Sequence, residues 1–504
     1  MTVDKQAAGV DRRSFLRVGG MAAGAMFSGT ALQVLAARVA EAAPADARRD
    51  RPGANVDYGP IDAVAALNTG DRWLALPAGF EYTILTKTGA VMTDGLPTPR
   101  AHDGMGSFER SGGLTRLICN HEVRFGGTPA TQGVFIIPGA GSYDPSAGGG
   151  TTSIDFDPGR FRTPSGGKVR DFVSLRGSVV NCAGGISLGR RGWITGEEIV
   201  QGPNTTPATA KRHGYQFFVP VDAESAATPA PLVAMGRFFH EAAAVDPGTG
   251  IVYETEDAGS GFGSGFYRFV PVDPWDLAKG GRLQMLAVTG RPQADLREGQ
   301  RHDARLPVTW VTITNPDPAG DHDVFNEGFA KGGAKFNRLE GCWEGDGSIF
   351  FASTSGGDVK NGDVNSDGFH EGYGQIWEYR PTGKSGGQLS LLFESPDGDV
   401  LDSPDNIVVT PRGGILICED DASSANLGQQ DTSRFFGEDK NRLVGLTMRG
   451  VAFTFAENIL SESEMAGACW SKDGKFLFFN IYGEDVAGSG GTVAITGPWE
   501  RGAL

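Results

Sequence analysis

IVVTPRGGILICEDD, residues 407–421, is two apolar, β-branched runs folded about a Pro-Arg-Gly-Gly turn and closed by three consecutive acids. Proline and glycine supply the backbone angles of a tight reversal, and the flanking Ile and Val favour a pleated strand, so the stretch reads as a β-hairpin. The same plan recurs five more times. FERSGGLTRLICNHE (108–122) and ISLGRRGWITGEE (186–198) turn near 112 and 190. AAVDPGTGIVYETED (243–257) and CWEGDGSIFFASTSGGD (342–358) turn near 248 and 346, and ACWSKDGKFLFFNIYGED (468–485) near 473. One hairpin type repeated six times predicts an all-β chain, a six-bladed β-propeller with long inter-blade insertions and a few short helices. A β-sandwich does not normally repeat a single hairpin at such intervals.

The ends of these hairpins carry the chemistry. Second strands finish in Asn120-His121-Glu122, Glu197-Glu198, Glu254-Thr255-Glu256-Asp257, Gly356-Gly357-Asp358, Glu419-Asp420-Asp421 and Glu484-Asp485. First strands are preceded by Cys182, His240-Glu241, Arg338-Leu339-Glu340, Asp405-Asn406 and Glu464. In a propeller, equivalent positions of successive blades meet around the central channel. Oxygen ligands gathered there suit hard cations such as calcium, or trivalent iron. Without metal, the crowded carboxylates would repel one another and take up protons.

Charge and address narrow the class. The first 42 residues hold five of the 45 Lys+Arg and three of the 61 Asp+Glu, so the remainder carries −18. Such a chain repels nucleic acid and attracts cations. Asp11-Arg12-Arg13-Ser14-Phe15-Leu16-Arg17 is a twin-arginine pattern, followed by an apolar stretch from Val18 to Ala37 and a small-x-small exit at Ala40-Glu41-Ala42. These features predict a secretory leader at 1–42, handled by the twin-arginine translocase, and a single propeller domain at 43–504. The expected location is periplasmic or secreted, with no membrane span after cleavage. Five cysteines, an odd number, leave at least one unpaired or bound to something else.

Taken in order, LALPAGFEYTILTKTG (74–89), LICNHEVRFGG (117–127), NCAGG (181–185), RFFHEAAAVDPGTGIVYETED (237–257), GSGFYRFVP (263–271), NRLEG (337–341), SPDNIVVTPRGGILICEDD (403–421) and TVAITGPW (492–499) resemble the PhoX-type alkaline phosphatases. The resemblance covers most of the chain beyond the leader. It implies a monomeric, exported six-bladed propeller that uses Fe3+ and Ca2+ to hydrolyse small-molecule phosphate monoesters. It also implies that Cys182 is a thiolate ligand to ferric iron. Glu122, Glu198, Glu241, Glu256, Asp257, Glu340, Asp405, Glu419 and Asp420 are the candidate carboxylate ligands. Arg338, with Cys182 and Glu340 in the catalytic set, is expected to grip non-bridging phosphoryl oxygens as charge develops on them.

Two stretches stand apart. The family usually reads Thr-Pro-Trp-Gly-Thr-Trp after Asn-Cys-Ala-Gly-Gly, whereas this chain has Ile186-Ser187-Leu188-Gly189-Arg190-Arg191-Gly192 before Trp193, which points to a different pocket wall. Asp363-Val364-Asn365-Ser366-Asp367-Gly368 copies the first half of an EF-hand loop, but Gly374 stands where the bidentate glutamate belongs, so a solvated turn is expected. Two other classes compete with the phosphatase reading. A calcium-dependent lactonase propeller would use Asp405-Asn406 without a cysteine, and a non-catalytic propeller would bind a partner protein without metal. The chain has no Gly-x-Ser-x-Gly elbow and no phosphate-cradling Lys-Ser/Thr loop.

Overall fold

Each of the six turns closes an antiparallel hairpin. The first is His102–Arg110 with Leu114–His121 and the second Asn181–Ile186 with Gly192–Glu197. The third is His240–Val245 with Val252–Glu256 and the fourth Leu339–Gly345 with Ser348–Ser353. The fifth is Pro404–Val409 with Ile415–Glu419 and the sixth Met465–Trp470 with Phe476–Ile481. The computed structural model describes residues 56–123, 135–136, 138–420, 441–483 and 488–504. The expected leader and the acids Asp421, Glu484 and Asp485 lie outside the described residues.

The architecture is all-β and propeller-like, with one α-helix, Asp323–Ala330, among the described residues. The leading strands of the hairpins close a ring. Each packs on the next, from His102–Arg110 round to Met465–Trp470, which returns to the first. Outward, hydrogen bonding does not divide into six equal blades. The first and sixth hairpins each belong to a four-stranded sheet and the second to a three-stranded one. The fifth is extended to six strands by Leu74–Pro77 and Ile61–Val64. The third and fourth share a nine-stranded sheet, because Leu306–Thr312 pairs with Gly386–Glu394.

Strand alternation builds the core. Along Ile415–Glu419, Leu416 and Cys418 enter one apolar cluster, and Ile415 and Ile417 enter the cluster on the other face. Trp343 packs against four clusters at once, which places its indole in the middle of the ring. All five cysteines are buried and unpaired. No helix among the described residues is long and apolar enough to cross a membrane.

Candidate metal centre

All six leading strands carry a β-bulge at the same place. In the first, His102 faces His121 and Met105 faces Cys119, three residues against two. The same excess lies between Asn181 and Gly184, His240 and Ala243, Leu339 and Cys342, Pro404 and Ile407, and Ala466 and Cys469. A bulge leaves one residue unpaired and re-aims its side chain. Just inside each bulge sit Asp103, Cys182, Glu241, Glu340, Asp405 and Gly467. Five of the six offer a metal-ligating atom. Behind Asp103 and Glu340, glycines are required: a Cβ on Gly104 would lie 2.5 Å from Ala183 Cα, and one on Gly341 2.6 Å from the Asp405 carbonyl.

The backbone entering the bulges is strained in a repeated way. Ala101, Val180, Arg338 and Ser403, equivalent residues of four hairpins, have φ of 53°, 52°, 43° and 45°. Left-handed backbone is uncommon outside glycine, and for a β-branched valine it is costly. Each of these carbonyls accepts a hydrogen bond from the residue just after the partner strand. The donors are the amides of Glu122, Glu198, Thr354 and Asp420, at 2.9, 2.9, 3.0 and 3.0 Å. Three of those four donors are acids.

Bulge residues and strand ends converge into overlapping groups. Potential ligand atoms lie within 4.8 Å of one another in Cys182/Glu198/Glu241, in Asp103/Glu122/Glu464, in Glu241/Glu340/Asp405 and in Asp405/Asp420/Glu464. Glu241, Asp405 and Glu464 each belong to two groups, so the four join into one chain of acids. Burial, and then repulsion from neighbouring acids, pushes Glu241, Asp103 and Glu464 well above the usual carboxylate range. Burial and Asp420 push Asp405 up to about 8. Burial and the charges of Asp103 and Glu241 push the Cys182 thiol up as well. Both carboxylate oxygens of Asp103 and of Glu241 are buried without a hydrogen-bond partner. Buried carboxylates are otherwise paired or bonded, so these residues fit metal cations, which would supply the missing partner and draw the proton from the thiol.

Arg338 borders the chain of acids. Its guanidinium donates to Asp257 Oδ2 at 2.7 Å and lies 3.2 Å from Glu340 Oε1. Burial works to raise Asp257, but the Arg338 charge together with hydrogen bonds from Arg338, the Gly259 amide and Glu198 outweighs it, and the carboxyl sits below its usual range. About a third of the Arg338 side chain remains accessible. A cation at the edge of such a cluster is placed to meet an anion entering it.

Of the expected ligands, the structure gathers Glu122, Cys182, Glu198, Glu241, Glu340, Asp405 and Asp420, with Asp257 joined through Arg338. It does not bring Glu256 or Glu419 into these groups. Glu256 accepts from the Tyr267 hydroxyl at 2.6 Å and the Gly265 amide at 3.0 Å, and Glu419 is clasped by Arg442. Each precedes a channel acid on its strand and points to the other face. Asp103 and Glu464 complete two of the groups. The position of Asp103 matches that of Glu241 in His240-Glu241, and His102-Asp103 carries the same signal in sequence.

Asn120 holds the cysteine bulge. Its amide donates to the carbonyls of Cys182 and Ala183 at 2.9 and 2.8 Å, while its oxygen accepts from the Trp193 indole at 3.0 Å. The divergent segment 186–192 forms the turn at the far end of this hairpin and begins about 13 Å along the strand from Cys182. It lines a cavity of about 280 Å³ with Val245, Pro247 and Trp343, away from the acids. The half EF-hand is a small hairpin whose Asp367 is neutralised by Arg297 and Lys335 at 2.7 and 2.8 Å.

A family model described as alkaline phosphatase PhoX matches residues 56–485. Among solved structures, PhoX of Pseudomonas fluorescens in complex with vanadate, a transition state analogue, superposes with a TM-score of 0.63 at 17% identity. The alignment covers 89% of this chain and all of that one. A gluconolactonase of Xanthomonas campestris reaches a TM-score of 0.41 at 9% identity, over 90% of this chain and 99% of its own. No curated protein sequence matches the chain.

Proposed function

The chain belongs to the PhoX alkaline phosphatase family and is a hydrolase of phosphate esters, and from that premise we propose that it cleaves monoesters with iron and calcium held by the acids of the ring. The observation that carries this reading is the run of four ligand groups, each with its atoms within 4.8 Å. Cys182 with Glu198 and Glu241 mixes a soft thiolate with carboxylates, a donor set suited to ferric iron. Asp103/Glu122/Glu464 and Asp405/Asp420/Glu464 are all-oxygen sets of the kind calcium takes. Bound metals would supply Lewis-acid polarisation of the phosphoryl group and an activated nucleophile.

The protein's own residues do the rest. The bulges hold the carboxylates in place before the substrate arrives, so little reorganisation is needed. Arg338 meets the incoming dianion and, with Asp257 and Glu340 fixing its guanidinium, pairs with oxygens that gain charge in the transition state. Asn120 and Trp193 keep the Cys182 backbone in its bulge.

We further propose six blades, one per hairpin. The closed ring of leading strands and the sixfold bulge support that count, with the nine-stranded sheet taken as two blades sharing an edge. The twin-arginine pattern supports export to the periplasm or beyond and a mature domain at 43–504, which the family resemblance implies is monomeric.

The test is metal analysis of the purified protein beside a phosphate monoester assay, before and after exhaustive chelation. Iron and calcium are expected with the active protein. Activity should vanish on stripping and return when both are restored. Full turnover by demonstrably metal-free protein would overturn the reading.

A further inference from the structure

At the rim of the acid ring, three flat side chains stack. The rings of Phe262 and His322 lie 3.8 Å apart and 11° from parallel. Phe239 covers His322 on the same plan, at 5.4 Å and 25°. Phe239 stands two residues before the bulge acid Glu241, and its carbonyl accepts from the Asp257 amide at 3.2 Å. The stack therefore begins at the ring and leads outward.

Phe262 is 53% exposed. It sits on the loop 258–264, where Gly259, Gly261 and Gly263 have φ of 72°, 98° and 90°. Left-handed glycines at alternate positions bend the chain tightly and present the residue between them. The loop is anchored at one end to Asp257 and at the other to the segment that leads into Arg338. Gly259 donates to Asp257 Oδ1 at 3.0 Å, and Ser264 exchanges two hydrogen bonds of 3.0 Å with Phe336, two residues before Arg338. Ser260 adds a bond of 2.8 Å to Glu371. A large apolar ring on a loop fixed this firmly gains nothing from solvent. One face of Phe262 is covered by His322, and the ring remains half exposed on the loop tied to Asp257, the partner of the guanidinium that meets the phosphate.

We propose that Phe262, backed by His322 and Phe239, is a stacking platform for a planar aromatic group on the alcohol side of the phosphate ester, and so favours 5′-nucleotides over esters of aliphatic alcohols. The inference rests on the phosphatase reading and deepens it. Stacking suits this task because every base and aryl group has a π-face, which gives preference for aromaticity without selecting one base.

The metal-loaded enzyme tests this with 5′-AMP and ribose 5-phosphate, which release the same kind of primary alcohol and differ only in the base. The wild type is expected to favour 5′-AMP in kcat/KM. In Phe262→Ala that preference drops about tenfold, mainly through KM. Phe262→Trp retains it, whereas Phe262→Leu, which keeps bulk but loses the flat face, does not. Metal content is measured on each variant, so that a damaged ring registers as a loss on both esters. A preference unchanged in Phe262→Ala and Phe262→Leu, or absent from the wild type, overturns the platform while leaving the phosphatase intact. Turnover of neither ester by the wild type overturns both.

Discussion

Glu241 and Glu419 are the same residue type, both fully buried and both at the same end of a propeller-like hairpin. Glu419 is saturated. Arg442 reaches it through its backbone amide at 3.0 Å and its guanidinium at 2.7 and 2.5 Å, and the Asp402 amide adds a fourth bond at 3.0 Å. Glu241 has no hydrogen bond on either oxygen. The first is a finished structural joint between chain segments. The second has both oxygens open to the cation proposed for this site. Glu197 and Glu198 take different surroundings within one dipeptide. Glu197 is held by His213 at 2.7 Å and the Gly214 amide at 2.8 Å, while Glu198 joins the cysteine group. Burial alone thus does not distinguish these acids; the hydrogen bonds that Glu419 receives and Glu241 lacks do.

The comparison breaks most visibly at Glu419. Glu419→Gln leaves Arg442 buried without its counter-charge and is expected to cost about 3–5 kcal/mol of stability. Metal stoichiometry in the folded fraction should stay at the wild-type value. Denaturant unfolding beside metal analysis checks both, and loss of metal without loss of stability would place Glu419 among the ligands.

Cys182→Ser tests the other side. A serine hydroxyl holds its proton where a thiol gives it up to a metal, so iron affinity should fall at least 10–100-fold, with nearly all activity. Cys418→Ser, inside an apolar cluster, should perturb packing and leave iron in place. Wild-type iron in Cys182→Ser would return that cysteine to an ordinary buried thiol.

The smallest effect is a dependence on pH in metal-stripped protein. Carboxyls raised on folding hold their protons more tightly in the folded chain. Their contribution is therefore complete below about pH 4 and is lost as pH climbs toward the folded value, which for Asp405 is about 8. Between pH 5 and 8 the stripped protein should lose a few degrees of midpoint, and restored metal should flatten the slope. Glu241→Gln should recover about 1 kcal/mol of the stripped protein's stability at pH 8. A stripped protein equally stable across that range would mean the acids are not crowded.

Much of this was legible in residue order. Turn glycines and β-branched runs marked all six hairpins, and the recurring acids marked the end at which they meet. What escaped was parity. Strands alternate with period two, but a bulge shifts the phase by one, and nothing local in Leu339-Glu340-Gly341 announces the shift. Hence Glu256 and Glu419 were indistinguishable from Asp257 and Asp420 until register was known. Asp103 stands upstream of the run that marked the first hairpin, and its bulge separates it from that run. The pairing of Leu306–Thr312 with Gly386–Glu394 joins segments too distant in sequence for any local pattern to show.

The strand Glu81–Ile84 is the outer edge of the sixth hairpin's sheet, where it pairs with Gly491–Thr496. Leu74–Pro77 likewise pairs with Ala452–Asn458. The two ends of the described chain therefore fasten the circle together. Contacts of such long sequence separation form late and slowly. During synthesis, the ring stays open until the sixth hairpin, Met465–Trp470 with Phe476–Ile481, has left the ribosome. Asp103 and Glu464 can become neighbours only after that closure, so the two groups that share Glu464 are assembled after the two built from Cys182, Glu241, Glu340 and Asp405.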